Sequence, residues 1–96
     1  MKLIKSISGI RGIYNENLTS DNASQFCETY AYQQPSGKIL LARDSRPHGK
    51  TLYEKILKTL NNIGRDVISC NIIPTPTAQF LVKDQKLSGG IIITAS

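Results

Sequence analysis

Three consecutive isoleucines behind a glycine pair, in Gly89-Gly90-Ile91-Ile92-Ile93-Thr94-Ala95-Ser96, constrain the fold more than any other stretch of this chain. β-Branched side chains suit a pleated, packed surface, and an apolar run without polar alternation belongs to a strand buried on both faces. Such strands lie inside parallel sheets whose two faces are covered by helices. The run closes in small hydroxylated residues, so it delivers Ser96 to the carboxyl end of a buried strand. Open α/β sheets hold their ligands at that edge. A folded domain rarely ends on a central strand with nothing to cover its edge. The expectation is therefore the N-terminal portion of a longer protein, meeting a functional loop at its last residue.

Ninety-six residues allow one small domain, which buries roughly two-thirds of its unfolded surface. A hydrophobic content of 40% and a charged content of 20% are those of a globular chain, which argues against disorder. No apolar run approaches the roughly 20 residues of a membrane span, and Met1-Lys2-Leu3-Ile4-Lys5 lacks the apolar core of a signal peptide. A cytoplasmic protein without membrane attachment is expected. Cys27 and Cys70 fit, being far apart, outside any CxxC and at apolar positions, as reduced core residues are. The net charge of +5 is spread along the chain with no basic block and no aromatic interleaving. That distribution speaks against nucleic acid and for a small anionic ligand.

Strand-like and helical patterns alternate. Leu3-Ile4-Lys5-Ser6-Ile7 reads as a strand, and Ser8-Gly9-Ile10-Arg11-Gly12 as a glycine-flanked turn leading into Ile13-Tyr14. A helix opening near Thr19 or Ser20 carries Ala23, Phe26, Cys27, Tyr30 and Ala31 on one stripe, and Pro35-Ser36-Gly37 ends it. Residues 38–43 form a second strand and residues 44–49 a loop. The next helix buries Leu52, Ile56, Leu60 and Ile63 and stops at Gly64. Residues 66–73 read as a third strand. Thr75 can then cap a short helix whose first position is Pro76, with Ala78, Leu81 and Val82 inward. The strand ending at Ser96 follows.

Strands separated by helices imply βαβ crossovers, hence an α/β domain: a three-layer αβα sandwich on a mostly parallel, mixed sheet. It should hold about four strands plus an N-terminal strand or hairpin. Parallel strands share one carboxyl edge, so residues 43–49, 74–77 and Ser96 should lie on one rim. The 9–12 turn can reach that rim too.

The candidate residues lie in these loops. Arg11 stands between Gly9 and Gly12, where the glycines leave room for a ligand and the guanidinium offers a fork of donors suited to phosphate. A hairpin turn with an exposed arginine would look the same. Asp44 and Arg46 fit an ion-paired scaffold around the loop, or a helix cap formed by Asp44 or Ser45. His48, the only histidine, sits in this loop, where a lone histidine is more often solvent-exposed than catalytic. Ser96 could equally cap a helix. Dinucleotide, P-loop, nucleophile-elbow and zinc motifs are absent.

The order of the pieces is more specific than any one of them. Ser8-Gly9-Ile10-Arg11-Gly12, Ala42-Arg43-Asp44-Ser45-Arg46, Ile73-Pro74-Thr75-Pro76-Thr77 and Gly89 to Ser96 together resemble the first domain of the α-D-phosphohexomutases. That family includes phosphoglucomutase/phosphomannomutase and phosphoglucosamine mutase, and the opening ten or so residues look most like the phosphoglucosamine-mutase type. The resemblance covers residues 1–96 as the N-terminal part of domain I, with domains II–IV outside the chain. It implies an isomerase that transfers a phosphoryl group intramolecularly. Hexose 1-phosphate and hexose 6-phosphate interconvert through a phosphoserine and a hexose 1,6-bisphosphate. It implies Ser96 as the phosphoserine and Arg11 as a catalytic partner. Ser8, Gly12, Asp44 and Arg46 would bind phosphate or support the loop. Mg2+ would sit on the Ser96 phosphate with its other ligands outside this chain. The partners implied are a small sugar phosphate and the remaining domains of the same polypeptide; the fragment alone is expected to be inactive. Arg43 is given no role, since its side chain need not face the site. A non-catalytic phosphate- or nucleotide-binding α/β module is the alternative.

Overall fold

The computed structural model describes residues 4–7, 10–14, 20–44 and 49–94, with side chains from residue 21 onward within those spans. Along the chain come β1 (Ile4–Ile7), β2 (Ile10–Tyr14), α1 (Ser20–Gln33), β3 (Ile39–Arg43), α2 (Gly49–Asn62), β4 (Val67–Ile72), α3 (Thr75–Asp84) and β5 (Gly89–Thr94). They form one five-stranded sheet in the order β1-β2-β5-β3-β4. β1 runs antiparallel to β2, whereas β2, β5, β3 and β4 are mutually parallel. The sheet is thus mixed and mostly parallel, with an N-terminal hairpin, as the alternating pattern predicts.

The isoleucine strand lies where its composition demands. β5 pairs with β2 on one side and β3 on the other, and residues 89–93 are buried. Alternate side chains of β3 and β5 go to opposite faces. Ile39, Leu41, Ile91 and Ile93 pack with Ala23, Cys27, Tyr30, Ala31, Leu52, Tyr53, Ile56 and Leu60 of α1 and α2. Leu40, Ala42 and Ile92 pack with Ala78 and Val82 of α3. Two cores on two faces of one sheet make the three layers. The Gly89-Gly90 pair has a packing consequence: the Gly90 N–H donates to the Tyr30 hydroxyl of α1 at 3.1 Å.

Helix ends follow their punctuation with one shift. At Gly64, with φ +81°, the Gly64 N–H donates to the Asn61 carbonyl and the Arg65 N–H to the Leu60 carbonyl, a paired left-handed stop for α2. α3 ends the same way at Lys86, φ +54°, with Lys86 N–H on the Lys83 carbonyl and Leu87 N–H on the Val82 carbonyl. α3 begins one residue earlier than expected. Pro74 is its N-cap, without a side-chain cap bond, because its extended φ −65° and ψ 149° turn the chain and its carbonyl accepts the Ala78 N–H at 3.1 Å. Thr75 is therefore already helical and is not the cap.

The larger correction concerns the first glycine motif. Residues 10–14 are strand, so Arg11 and Gly12 belong to β2 and not to a turn. Glycine at residue 12 did not break the strand because β2 is held on both sides, by β1 and by β5. Residues 8 and 9 lie outside the described residues.

Candidate functional site at the carboxyl rim

Strand order creates the site. From β3 the chain passes to α2 on one face of the sheet, and from β4 to α3 on the other. The two exits part, and neighbouring strands whose connections leave to opposite faces open a crevice at their carboxyl ends. A cleft of about 250 Å³ lies there, lined by Asp44, Ile72, Ile73, Pro74, Thr75 and Ile92. Its walls are Ile92 within β5, the chain just past β3, the end of β4 and the start of α3.

Asp44 is the sequence-predicted residue that can be followed atom by atom. Its N–H donates to the Ile93 carbonyl at 3.0 Å, which extends the β3–β5 pairing one step past β3. Its carboxylate turns toward the start of α2: a methyl group built on Gly49 would stand 3.9 Å from Oδ1. A negative charge at a helix N-terminus is favoured by the free N–H groups and the dipole there.

Three residues that sequence reasoning left without a role complete this corner. The β3–β4 register steps from Leu41 opposite Ser69 to Ala42 opposite Asn71, so Cys70 is the extra residue of a β-bulge. Asn71 takes a left-handed φ of 60°. Its N–H donates to the Tyr53 hydroxyl of α2 at 2.9 Å. That hydroxyl donates to the Leu41 carbonyl at 3.1 Å and lies 2.5 Å from Ser69 Oγ. The Asn71 side chain then accepts from Arg43, Nε to Oδ1 at 2.8 Å, and Arg43 Nη1 donates to the Asp44 carbonyl at 3.4 Å. Arg43 is 8% exposed. Its side chain is folded against β4 and the residue that leaves β3. Only Asn71 left a trace in the sequence, as a residue type that tolerates left-handed backbone within an otherwise apolar strand.

Burial pushes the Cys27 thiol up to about 12 and also raises Cys70. Both cysteines are free, as their spacing predicts, with Cys27 buried and Cys70 half-buried.

The other predicted residues divide by position. Arg11 and Gly12 are level in register with Ile91 and Ile92 of β5. Arg11 is thus three residues short of Tyr14, or about 10 Å at roughly 3.3 Å per residue, so its backbone is within the strand and off the rim. Ser8, Ser45, Arg46, His48 and Ser96 lie outside the described residues. β5 runs to Thr94, two positions before Ser96. Among the described residues, no group of three or more His, Cys, Asp or Glu could hold a metal ion.

Comparison with known proteins decides the family. Residues 2–96 match the family described as "Phosphoglucomutase/phosphomannomutase, alpha/beta/alpha domain I". The chain belongs to that family. Among curated relatives, a phosphoglucosamine mutase of Prochlorococcus marinus subsp. pastoris is 38% identical over 97 residues, covering 100% of this chain and 22% of its own length. One from Thermotoga neapolitana is 34% identical over 88 residues, and one from Alkaliphilus metalliredigens 38% over 92 residues, each covering 92% of this chain and 20% of its own. This phosphohexomutase-family chain thus spans about a fifth of the length of the relatives it matches. No solved structure matches it. Among the described residues, no helix is long and apolar enough to cross a membrane.

Proposed function

We propose that this chain is the first domain of a cytoplasmic phosphohexomutase of the phosphoglucosamine-mutase type, with Ser96 carrying the phosphoryl group. The observation that carries the reading is the family match through residue 96, supported by a central strand β5 that ends at Thr94, two positions before it in sequence. The names of the curated relatives support an amino-sugar phosphate as substrate.

In this reading the phosphoserine at 96 meets a hexose monophosphate whose free hydroxyl attacks the phosphorus. The P–O bond to the serine breaks, the proton of the attacking hydroxyl ends on the released serine oxygen, and a hexose 1,6-bisphosphate forms. After the bisphosphate reorients, the serine oxygen takes back the other phosphate. Phosphoryl transfer asks for in-line positioning and compensation of spread negative charge. A buried central strand supplies the first, because its end is fixed by pairing on both sides. Arg11 would supply part of the second, with Ser8, Gly12, Asp44 and Arg46 shaping the phosphate surroundings. Bound Mg2+ would add positive charge at the phosphate, with its carboxylate ligands in a later domain. Sugar recognition is likewise assigned to domains outside these residues, which is why the fragment alone should not turn over substrate.

The test is Ser96→Ala in the full-length polypeptide. Mutase activity and labelling by a hexose 1,6-bisphosphate should both vanish, while the monophosphate substrate still binds. Labelling at another residue, with the variant still turning over, overturns the assignment. A lost helix cap would instead cost only about 1 kcal/mol of stability and leave the chemistry in place.

A further inference from the structure

Arg43 is a buried cation at the end of β3 whose two bonds reach across a strand boundary. Nε donates to the side chain of Asn71 in β4, and Nη1 to the main-chain carbonyl of Asp44, the first residue past β3. The guanidinium therefore spans the two chain exits that bound the rim cleft. We propose that Arg43 is a positioning residue for phosphoryl transfer. With Asn71, it clamps the β4 bulge to Asp44, the first residue past β3, and so fixes the rim.

Three observations meet at this clamp. Asn71 is held from the other side as well, its N–H on the Tyr53 hydroxyl, which is itself bonded to the Leu41 carbonyl. The bulge is thus anchored to α2 below and to Arg43 above. Asp44 is tied in too, its N–H on the Ile93 carbonyl of the strand that leads to Ser96. Bulges beside functional sites re-aim the chain, and this one ends where β4 turns into Pro74 and the α3 N-terminus. Finally, the two acceptors are separate groups on separate segments. A planar fork can serve both at once, whereas an ammonium is a single point of charge. The geometry calls for arginine, and lysine is no substitute.

The role assigned to Arg43 rests on the mutase reading of Ser96, because a rim matters to turnover only if the reaction takes place there. Near-attack geometry is steep enough that a misplacement of about 1 Å can cost roughly a hundredfold in rate. The experiment measures kcat and KM in the full-length enzyme for Arg43→Met, Arg43→Lys and Asn71→Gly, with main-chain hydrogen exchange at Asp44. Asn71→Gly keeps the left-handed backbone and deletes only the acceptor, so it tests the clamp even if the Arg43 variants fail to fold. The expected result is a kcat at least tenfold lower in each variant, KM within about twofold, and faster exchange at Asp44. Lysine should not rescue, and Asn71→Gly should add little to Arg43→Met. Rescue by lysine would show that charge alone matters and overturns the clamp. So would folded variants with a lowered melting temperature and kcat within twofold of wild type. An inactive wild type, by contrast, overturns the mutase reading on which the proposal stands.

Discussion

The hydroxyl of Tyr53 in α2 accepts the main-chain N–H of Asn71 in β4 at 2.9 Å, across 18 positions of sequence. The same oxygen donates to the Leu41 carbonyl at 3.1 Å, so one phenol serves both strands where their register slips. A bulge leaves strand groups without their ladder partners, and a buried group left without one is expensive. Tyr53 takes that place, which explains a polar tip on a residue only 5% exposed.

Tyr53→Phe should therefore destabilise the domain by about 1–3 kcal/mol, the range for orphaning a buried hydrogen-bonding group. Ring packing is retained, so the loss reports on the hydroxyl. Urea unfolding measures it. A change below a few tenths of a kcal/mol would mean that water replaces the phenol at the bulge.

How far the sequence led is clear from these same residues. Isoleucine at 91, 92 and 93 announced the central strand, because only burial on both faces accommodates an unbroken apolar run. The stripe of Ala23, Phe26, Cys27, Tyr30 and Ala31 announced α1 in the same way: Phe26 is half-buried against the core and the other four are buried. Tyr53 was invisible, since a tyrosine beside Leu52 says nothing of where its hydroxyl goes. The partnership of Arg43 with Asn71 depends on a register slip between strands, which no local pattern encodes. Glycine at 12 misled in the opposite sense. Its flexibility suggested a turn, whereas pairing on both sides of β2 made residues 10–14 a strand.

The two left-handed helix stops make a matched pair of opposite sign. Gly64 has φ +81° and nothing within 4 Å of an added Cβ, so Gly64→Ala should lose about 1 kcal/mol from backbone strain alone. Lys86 occupies the equivalent place in α3 at φ 54°, where Lys86→Gly should gain about 0.5 kcal/mol. Denaturant midpoints of both variants give the comparison. Equal signs would contradict the shared motif.

The cysteines should separate by reactivity and by pH. At mildly alkaline pH in the native state, half-buried Cys70 should be alkylated well before Cys27, which burial shields and holds protonated. The Cys27 thiol is raised on folding from 9.0 to about 12. The unfolded chain thus ionises first, and the contribution of Cys27 is intact below pH 9.0 and lost as pH climbs toward about 12. Cys27→Ala cannot lose it. The stability gap between wild type and Cys27→Ala should narrow above pH 9, and a gap independent of pH would show that Cys27 is not desolvated.

Arg11 offers the sharpest test of the proposed chemistry, because the register sets a demand on it. Its backbone is paired to Ser6 of β1 and Ile91 of β5, so Arg11→Ala leaves the main-chain ladder intact and the fold should survive. If the guanidinium neutralises phosphoryl charge, its loss in the full-length enzyme should lower turnover by roughly 10²–10³, the effect of removing one preorganised donor. Arg11→Lys should recover only part of that, since a point charge cannot reproduce the two-pronged contact with phosphate. The outcome also bears on geometry. A position about 10 Å back along β2 asks the arginine side chain or the substrate to close that distance. Turnover within about threefold of wild type would place Arg11 among the residues that build the sheet and leave phosphate binding to others on the rim.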